Sequence, residues 1–260
     1  MRYFKGYIAV SDERDVPILL HVRNARAISY HQLCDLLEIE GIEKVRRIVH
    51  WRVKRLETHG FIARFKHYRI LGQPVFAITP KGLSLLESKG HCLLSLPSTN
   101  ESIIPPAQIP HAIELVSIRL SLAKHGILRS WTSELQIASR NTVLERGRGK
   151  DYDAIAEILV DGEIQTFAIE YERTAKGTTR YGQIRHVLNQ DRTVDIVLYL
   201  TSDRDILYLL AHEMRGTEKR IGIALAESFR RDLLDTNTLV ISADSEVYPF
   251  RTLFAAHVEA

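Results

Sequence analysis

The stretch DYDAIAEILVDGEIQTFAIEYERTAKGTTRYGQIRHVLNQ, residues 151–190, restricts the fold more than any other part of the chain. Asp153 precedes an apolar run from Ala154 to Val160, and Asp161-Gly162 then supplies the φ > 0 residues of a tight hairpin turn. A second apolar run, Ile164 to Ile169, ends in Glu170-Tyr171-Glu172. Side chains alternate along a strand, so Glu170 and Glu172 share a face, and Asp153 on the paired strand can meet them at one end. Three neighbouring carboxylates repel unless positive charge lies among them. A hard divalent cation held by oxygen ligands is the usual solution. A solvated strand edge rich in acids has the same spacing, and composition does not separate the two. Tyr181, Ile184, Val187 and Leu188 then recur at helical spacing and close the unit.

Buried strands and helices alternate along the rest of the chain. DIVLYLT and IGIALA read as strands, DRDILYLLAHEMRG as the helix between them, and a last strand is expected near Thr238–Ser242. On the N-terminal side of the stretch lies HAIELVSIRLSLAKHG, an amphipathic helix ending at Gly126, with ILRSWTSELQIASR after it. This order gives an α/β (α+β) domain with a central mixed sheet over 109–260. Residues 96–108 read as a linker, with prolines and no periodicity from about 90 to 110.

Residues 1–95 have a different pattern. A helix is expected from Asp12 to Arg23, with Ser11 as cap and Pro17 near its start. Ser29 and Gln32 form a capping box for a second helix through Leu37. A third runs from Glu43 to His59, with Val45, Ile48, Val49 and Leu56 on one side and Val53 beside them. Two short strands flank a Leu71-Gly72-Gln73-Pro74 turn, and Thr79-Pro80 opens a fourth helix. Three helices, a two-stranded wing and a closing helix is the order of a winged helix-turn-helix.

Charge separates the two parts. Residues 1–90 carry 16 Lys and Arg against 9 Asp and Glu, whereas the remainder carries 19 against 23. A basic first part suits double-stranded DNA. Arg46, Arg47, His50, Arg52, Lys54 and Arg55 on the third helix, with Arg64, Lys66 and Arg69 on the wing, are the candidate phosphate and base contacts. A solvated helix face is also charged, though few acids are interspersed here. No run of about 18 apolar residues exists, and the N-terminal stretch lacks a secretory apolar core, so a cytoplasmic protein with no membrane contact is expected. Cys34 and Cys92 lack metal or redox spacing, and the 11 histidines form no zinc pattern.

Two resemblances bear on function. Arg55-Leu-Glu-x-x-Gly-Phe-Ile62 and Ala77-Ile-Thr-Pro-Lys-Gly82 resemble bacterial winged-helix domains. His111, Trp131-Thr-Ser-Glu134, Tyr152-Asp153-Ala154 and Glu170-Tyr171-Glu172-Arg173-Thr174 resemble the replication-relaxation family of plasmid and mobile-element proteins. That family joins a winged helix to a PD-(D/E)XK nuclease-like domain and is similar to one class of conjugative relaxases. The departures are tyrosine for proline at 152, Glu172 for aspartate, and one residue fewer before Thr174. In the nuclease pattern, the Glu172 position usually carries lysine.

The resemblance implies binding of an origin-like DNA site and metal-dependent nicking with Mg2+ or Mn2+. Asp153, Glu170 and Glu172 are then the implied metal ligands, Glu172 alternatively serving as base. Glu134 and Glu114 are candidate outer ligands or orienters. Arg173, Lys176 and Gln183 are candidates to contact phosphate or hold the acids. A relaxase would use a tyrosine nucleophile, and Tyr152, Tyr171 and Tyr181 lie in the central stretch, where core packing is the plainer role. Other mobilisation or replication proteins and a homodimer are the further partners considered. A regulator of replication or transcription with a degenerate nuclease-like domain is the alternative, favoured by the missing lysine and proline.

Overall fold

The computed structural model describes residues 8–70, 72–94, 104–143, 149–241 and 246–255, apart from the side chains of Lys66, His67 and Arg69. Its helices and sheets are mixed along the chain, an α/β architecture. The chain divides between Val116 and Ser117 into two compact units. The expected linker, 96–108, lies partly outside the described residues.

The first unit contains α1 (Asp15–Ala25), β1 (Ile28–Ser29), α2 (Tyr30–Ile39), α3 (Arg46–Thr58), β2 (Ile62–Ile70), β3 (Gln73–Ile78) and α4 (Pro80–Ser88). Its strands form an antiparallel sheet in the order β1-β3-β2. The capping box of α2 is present: the Ser29 hydroxyl accepts from the Gln32 amide at 3.3 Å, and the Ser29 amide donates to Gln32 Oε1 at 3.1 Å. Helix α1 begins at Asp15, three residues later than expected, and Ser11 does not cap it with its side chain. Instead the Ser11 amide donates to Asp15 Oδ2 at 2.8 Å, while the Ser11 carbonyl accepts from the Asp15 amide. That reciprocal turn holds residues 11–14 outside the helix.

Helix α3 also starts late, at Arg46, with Val45 as its half-exposed N-cap. Val49, Val53 and Leu56 form its buried side. A core of Ala27, Val75, Ala77, Ile104, Ile109, Ala112 and Ile113 completes this unit. Its last members lie on α5 (Ile109–Lys124), which passes the division between units.

The second unit contains, after α5, β4 (Leu128–Ser133), α6 (Glu134–Val143), β5 (Ala154–Val160), β6 (Glu163–Glu172), α7 (Thr178–Gln190) and β7 (Ile196–Thr201). It continues with α8 (Arg204–Glu213), β8 (Arg220–Leu225), α9 (Ala226–Asp232), β9 (Asn237–Val240) and β10 (Val247–Pro249). Seven strands lie in the order β10-β9-β8-β7-β6-β5-β4. The β6–β7 and β7–β8 pairs are parallel and the others antiparallel, so the sheet is mixed.

The β5–β6 hairpin turns on Asp161 (φ 49°) and Gly162 (φ 90°), the positive-φ pair a two-residue turn requires. On one face Ile137, Tyr152, Ala168, Tyr181, Leu188, Tyr199, Ile206 and Leu210 pack as a core. A separate aromatic cluster joins Phe167, Phe229, Phe250 and Phe254, with ring centroids 5.1–5.9 Å apart. Its last two members come from a short 3-10 turn near the C-terminus, for which the sequence offered no pattern.

Candidate functional site

In the second unit the hairpin brings the acids together. The register sets Ala168 beside Ile155, so Glu170 and Glu172, in step with Ala168, lie on the face of Ile155 and Asp153. Asp153 reaches across the end of β6, its Oδ2 accepting from the Tyr171 amide at 2.7 Å. Helix α6 begins where its first amide, that of Glu134, donates to the Asp153 carbonyl. Glu134 is thus adjacent to Asp153 along the backbone.

Each glutamate has an ammonium partner. Lys150 Nζ donates to Glu170 Oε1 and Lys176 Nζ to Glu172 Oε2. Burial, with Asp153 adding like charge and Lys150 opposing both, pushes the Glu170 carboxyl up to about 7. Beside Glu170 in register stands Tyr199, whose hydroxyl is buried and has no hydrogen-bond partner. Burial first, then Glu170, Tyr152, Glu172 and Asp153, hold this phenol well above its ordinary value. Its surroundings therefore include all three acids.

The oxygen donors have the chemistry of a hard-cation site, and the orphaned Tyr199 hydroxyl is a polar atom such a site would satisfy. In the arrangement as it stands, no group of three or more His, Cys, Asp or Glu among the described residues is set to hold a metal ion, this trio included. The two lysines occupy the carboxylates instead.

The other candidates are spread around this centre. Arg173 is exposed just beyond β6. Gln183 is exposed on α7 and accepts from Arg180 at 3.1 Å. Glu114 lies on α5 in the first unit. Tyr152, Tyr171 and Tyr181 are all buried. The Tyr152 hydroxyl donates to Asp191 Oδ2 at 2.9 Å, and burial raises its pKa as it does that of Tyr181. A buried, protonated phenol is a poor nucleophile.

In the first unit α3 presents two kinds of basic residue. Arg52 and Arg55 turn inward and both donate to Asp15, which is fully buried on α1. Arg46 pairs with Asp35 at 3.1 Å, and Arg64 pairs with Glu57 at 3.1 Å. Arg47, His50 and Lys54 are exposed, and so is Trp51. These four sit at i, i+3, i+4 and i+7, one stripe of the helix surface. The Tyr30 ring adjoins His50 edge-on at 5.9 Å. Lys66 and Arg69 lie on β2, with side chains outside the described residues.

Sequence reasoning missed Lys150, Tyr199 and Trp51. Lys150 stood in a glycine-rich loop with no periodicity, and Tyr199 in a strand that is mostly apolar. The Tyr199 hydroxyl, in the middle of that run, was the signal on offer. Comparison with family models, with curated proteins and with solved structures finds no match to the chain. Among the described residues no helix is long and apolar enough to cross a membrane.

Proposed function

We propose that the chain is a DNA-binding protein of a plasmid or mobile element that nicks DNA at an origin-like site. In this reading the first unit is a winged helix and the second a PD-(D/E)XK nuclease-like domain, as in the replication-relaxation family that the sequence resembles. The observation that carries it is the convergence of Asp153, Glu170 and Glu172 on one face of the β5–β6 hairpin, beside the orphaned Tyr199 hydroxyl.

Asp153, Glu170 and Glu172 would hold Mg2+ or Mn2+, which offsets charge on the phosphate and lowers the pKa of its bound water. The chain's own residues account for the rest. Cleavage forms one bond from a water oxygen to phosphorus and breaks one P–O bond to the departing sugar, whose oxygen takes up a proton from solvent. In its alternative role as base, Glu172 would accept the proton of the attacking water, leaving Asp153 and Glu170 to the metal. Lys176 and Arg173, at the exposed end of β6, supply positive charge to the phosphate. The stripe of Arg47, His50, Trp51 and Lys54 on α3 faces the DNA.

The test is nicking of supercoiled plasmid carrying the DNA upstream of the protein's own gene, with Mg2+ or Mn2+ against EDTA. Metal-dependent open circles that vanish in Asp153→Ala and Glu170→Ala support an endonuclease. A protease-sensitive shift of the nicked strand adds a covalent relaxase step. A second reading is a non-catalytic regulator of replication or transcription, favoured by the ammonium groups already seated on Glu170 and Glu172. Intact plasmid, with a gel shift that both variants retain, selects it.

A further inference from the structure

Resting on the metal reading of the acid cluster, we infer that the Lys150 ammonium is a resident cation that a divalent ion must displace from Glu170. Lys150 thereby sets how readily the cluster takes metal. The pair is well shielded, with side-chain exposures of 13% for Lys150 and 19% for Glu170. Attraction between the two is strong in such surroundings, and so is repulsion between an ammonium on Glu170 Oε1 and a dication on the same carboxylate. One of them must leave.

The seat of Lys150 is built. Its amide donates to Asp191 Oδ1 at 3.4 Å, and Asp191 is fully buried. The same carboxylate accepts from the Tyr152 hydroxyl and from Thr193 Oγ1 at 2.8 Å, with Lys219 Nζ 3.6 Å away. Lys219 also donates to the Asp191 carbonyl at 2.6 Å. This network fixes the main chain at residue 150, leaving the side chain as the part that moves. Lys150 Nζ already lies 4.6 Å from the centroid of the Tyr152 ring, whose π face attracts an ammonium without competing for carboxylate oxygens. Tyr152 thus belongs to the device.

The vicinity of Glu170 points independently to a further ligand. The Tyr199 hydroxyl beside it is more than nine-tenths buried and lacks a partner. A buried hydroxyl without a partner is costly, and the water shell of a bound cation would satisfy it. Lys176 differs from Lys150: its side chain is 38% exposed and it pairs with Glu172 four residues away. It can yield to solvent without a built path.

The experiment is calorimetric titration of the full chain with Mn2+ at fixed pH, comparing wild type, Lys150→Met and Glu170→Gln. Lys150→Met is expected to bind Mn2+ about tenfold more tightly than wild type, and Glu170→Gln more weakly. A second measurement needs no variant: the acetylation rate of Lys150 in wild type, read by mass spectrometry with Lys219 as reference, is expected to rise when Mn2+ is added. Wild-type binding that is unchanged or weakened in Lys150→Met, or acetylation that Mn2+ leaves unchanged or slows, overturns this inference alone. Absence of Mn2+ binding in wild type and Lys150→Met overturns it together with the metal reading beneath it.

Discussion

Arg52 Nη1 donates to Oδ1 of Asp15 at 2.8 Å, joining α3 to a fully buried carboxylate on α1. Arg55 takes the other oxygen, Oδ2, which also accepts from the Ser11 amide. One acid therefore holds two helices and a turn. Removing it strands two guanidinium groups that are largely buried, and breaking a buried pair from one side costs about 3–5 kcal/mol. Asp15→Ala is expected to lose about that much unfolding free energy in urea denaturation. A loss under about 1 kcal/mol, the range of an exposed pair, would show that the pair is incidental.

That pairing divides the basic residues of α3 into an inward pair and an exposed set. Arg47 and Lys54 are exposed and can meet phosphates, Lys54 leaving only a 3.6 Å solvent-side contact with Glu57, whereas Arg52 is committed to Asp15. Each lost phosphate contact lowers the slope of log K against log salt by about one. Arg47→Ala and Lys54→Ala are each expected to lower the slope so, measured by fluorescence anisotropy on duplex DNA over a salt series. Trp51→Ala is expected to weaken binding while leaving the slope unchanged, because an indole neutralises nothing. Equal slopes in wild type and both cation variants would remove α3 from the interface.

How far the sequence alone reached depended on the range of the interaction. The Asp161-Gly162 turn and the Ser29–Gln32 capping box were legible because each is fixed within four residues. The alternation that put Glu170 and Glu172 on one face was legible for the same reason. Asp15 was not recognisable as a partner of Arg52, which lies 37 residues on, since helical periodicity gives the angle of a side chain and not what it meets. Tyr199 comes beside Glu170 through a parallel pairing whose register depends on the intervening helix α7. Nothing local encodes that neighbour.

Gly82, on α4, is required for space. A Cβ there would lie 2.2 Å from the Phe61 carbonyl oxygen and 2.8 Å from Ile78 Cγ1. Backbone cannot yield as a side-chain tip does. Overpacking of this kind costs about 1–3 kcal/mol or more. Gly82→Ala is therefore expected to lower the thermal midpoint by several degrees, even though alanine is the better helix former. A midpoint equal to or above that of wild type would contradict the contact between α4 and the chain at Phe61.

Glu170 gives the chain a pH dependence of definite sign. Its carboxyl moves from 4.5 to about 7 on folding, so between those values the native state holds a proton that the unfolded chain has released. Stability then falls as pH rises through that window, by at most about 3 kcal/mol for a shift of this size. Below 4.5 both states are protonated and the stability is fully present; above 7 both are ionised and the loss is complete. Glu170→Gln carries no proton to lose. The wild-type unfolding free energy is thus expected to decline relative to that of Glu170→Gln between about pH 5 and pH 8, measured by urea denaturation across that range. Lys150→Met should carry the decline on to higher pH, because Lys150 opposes the rise of the Glu170 pKa. A difference between wild type and Glu170→Gln that stays constant across this range would mean that the carboxylate is ionised throughout, with the Lys150 pair outweighing burial.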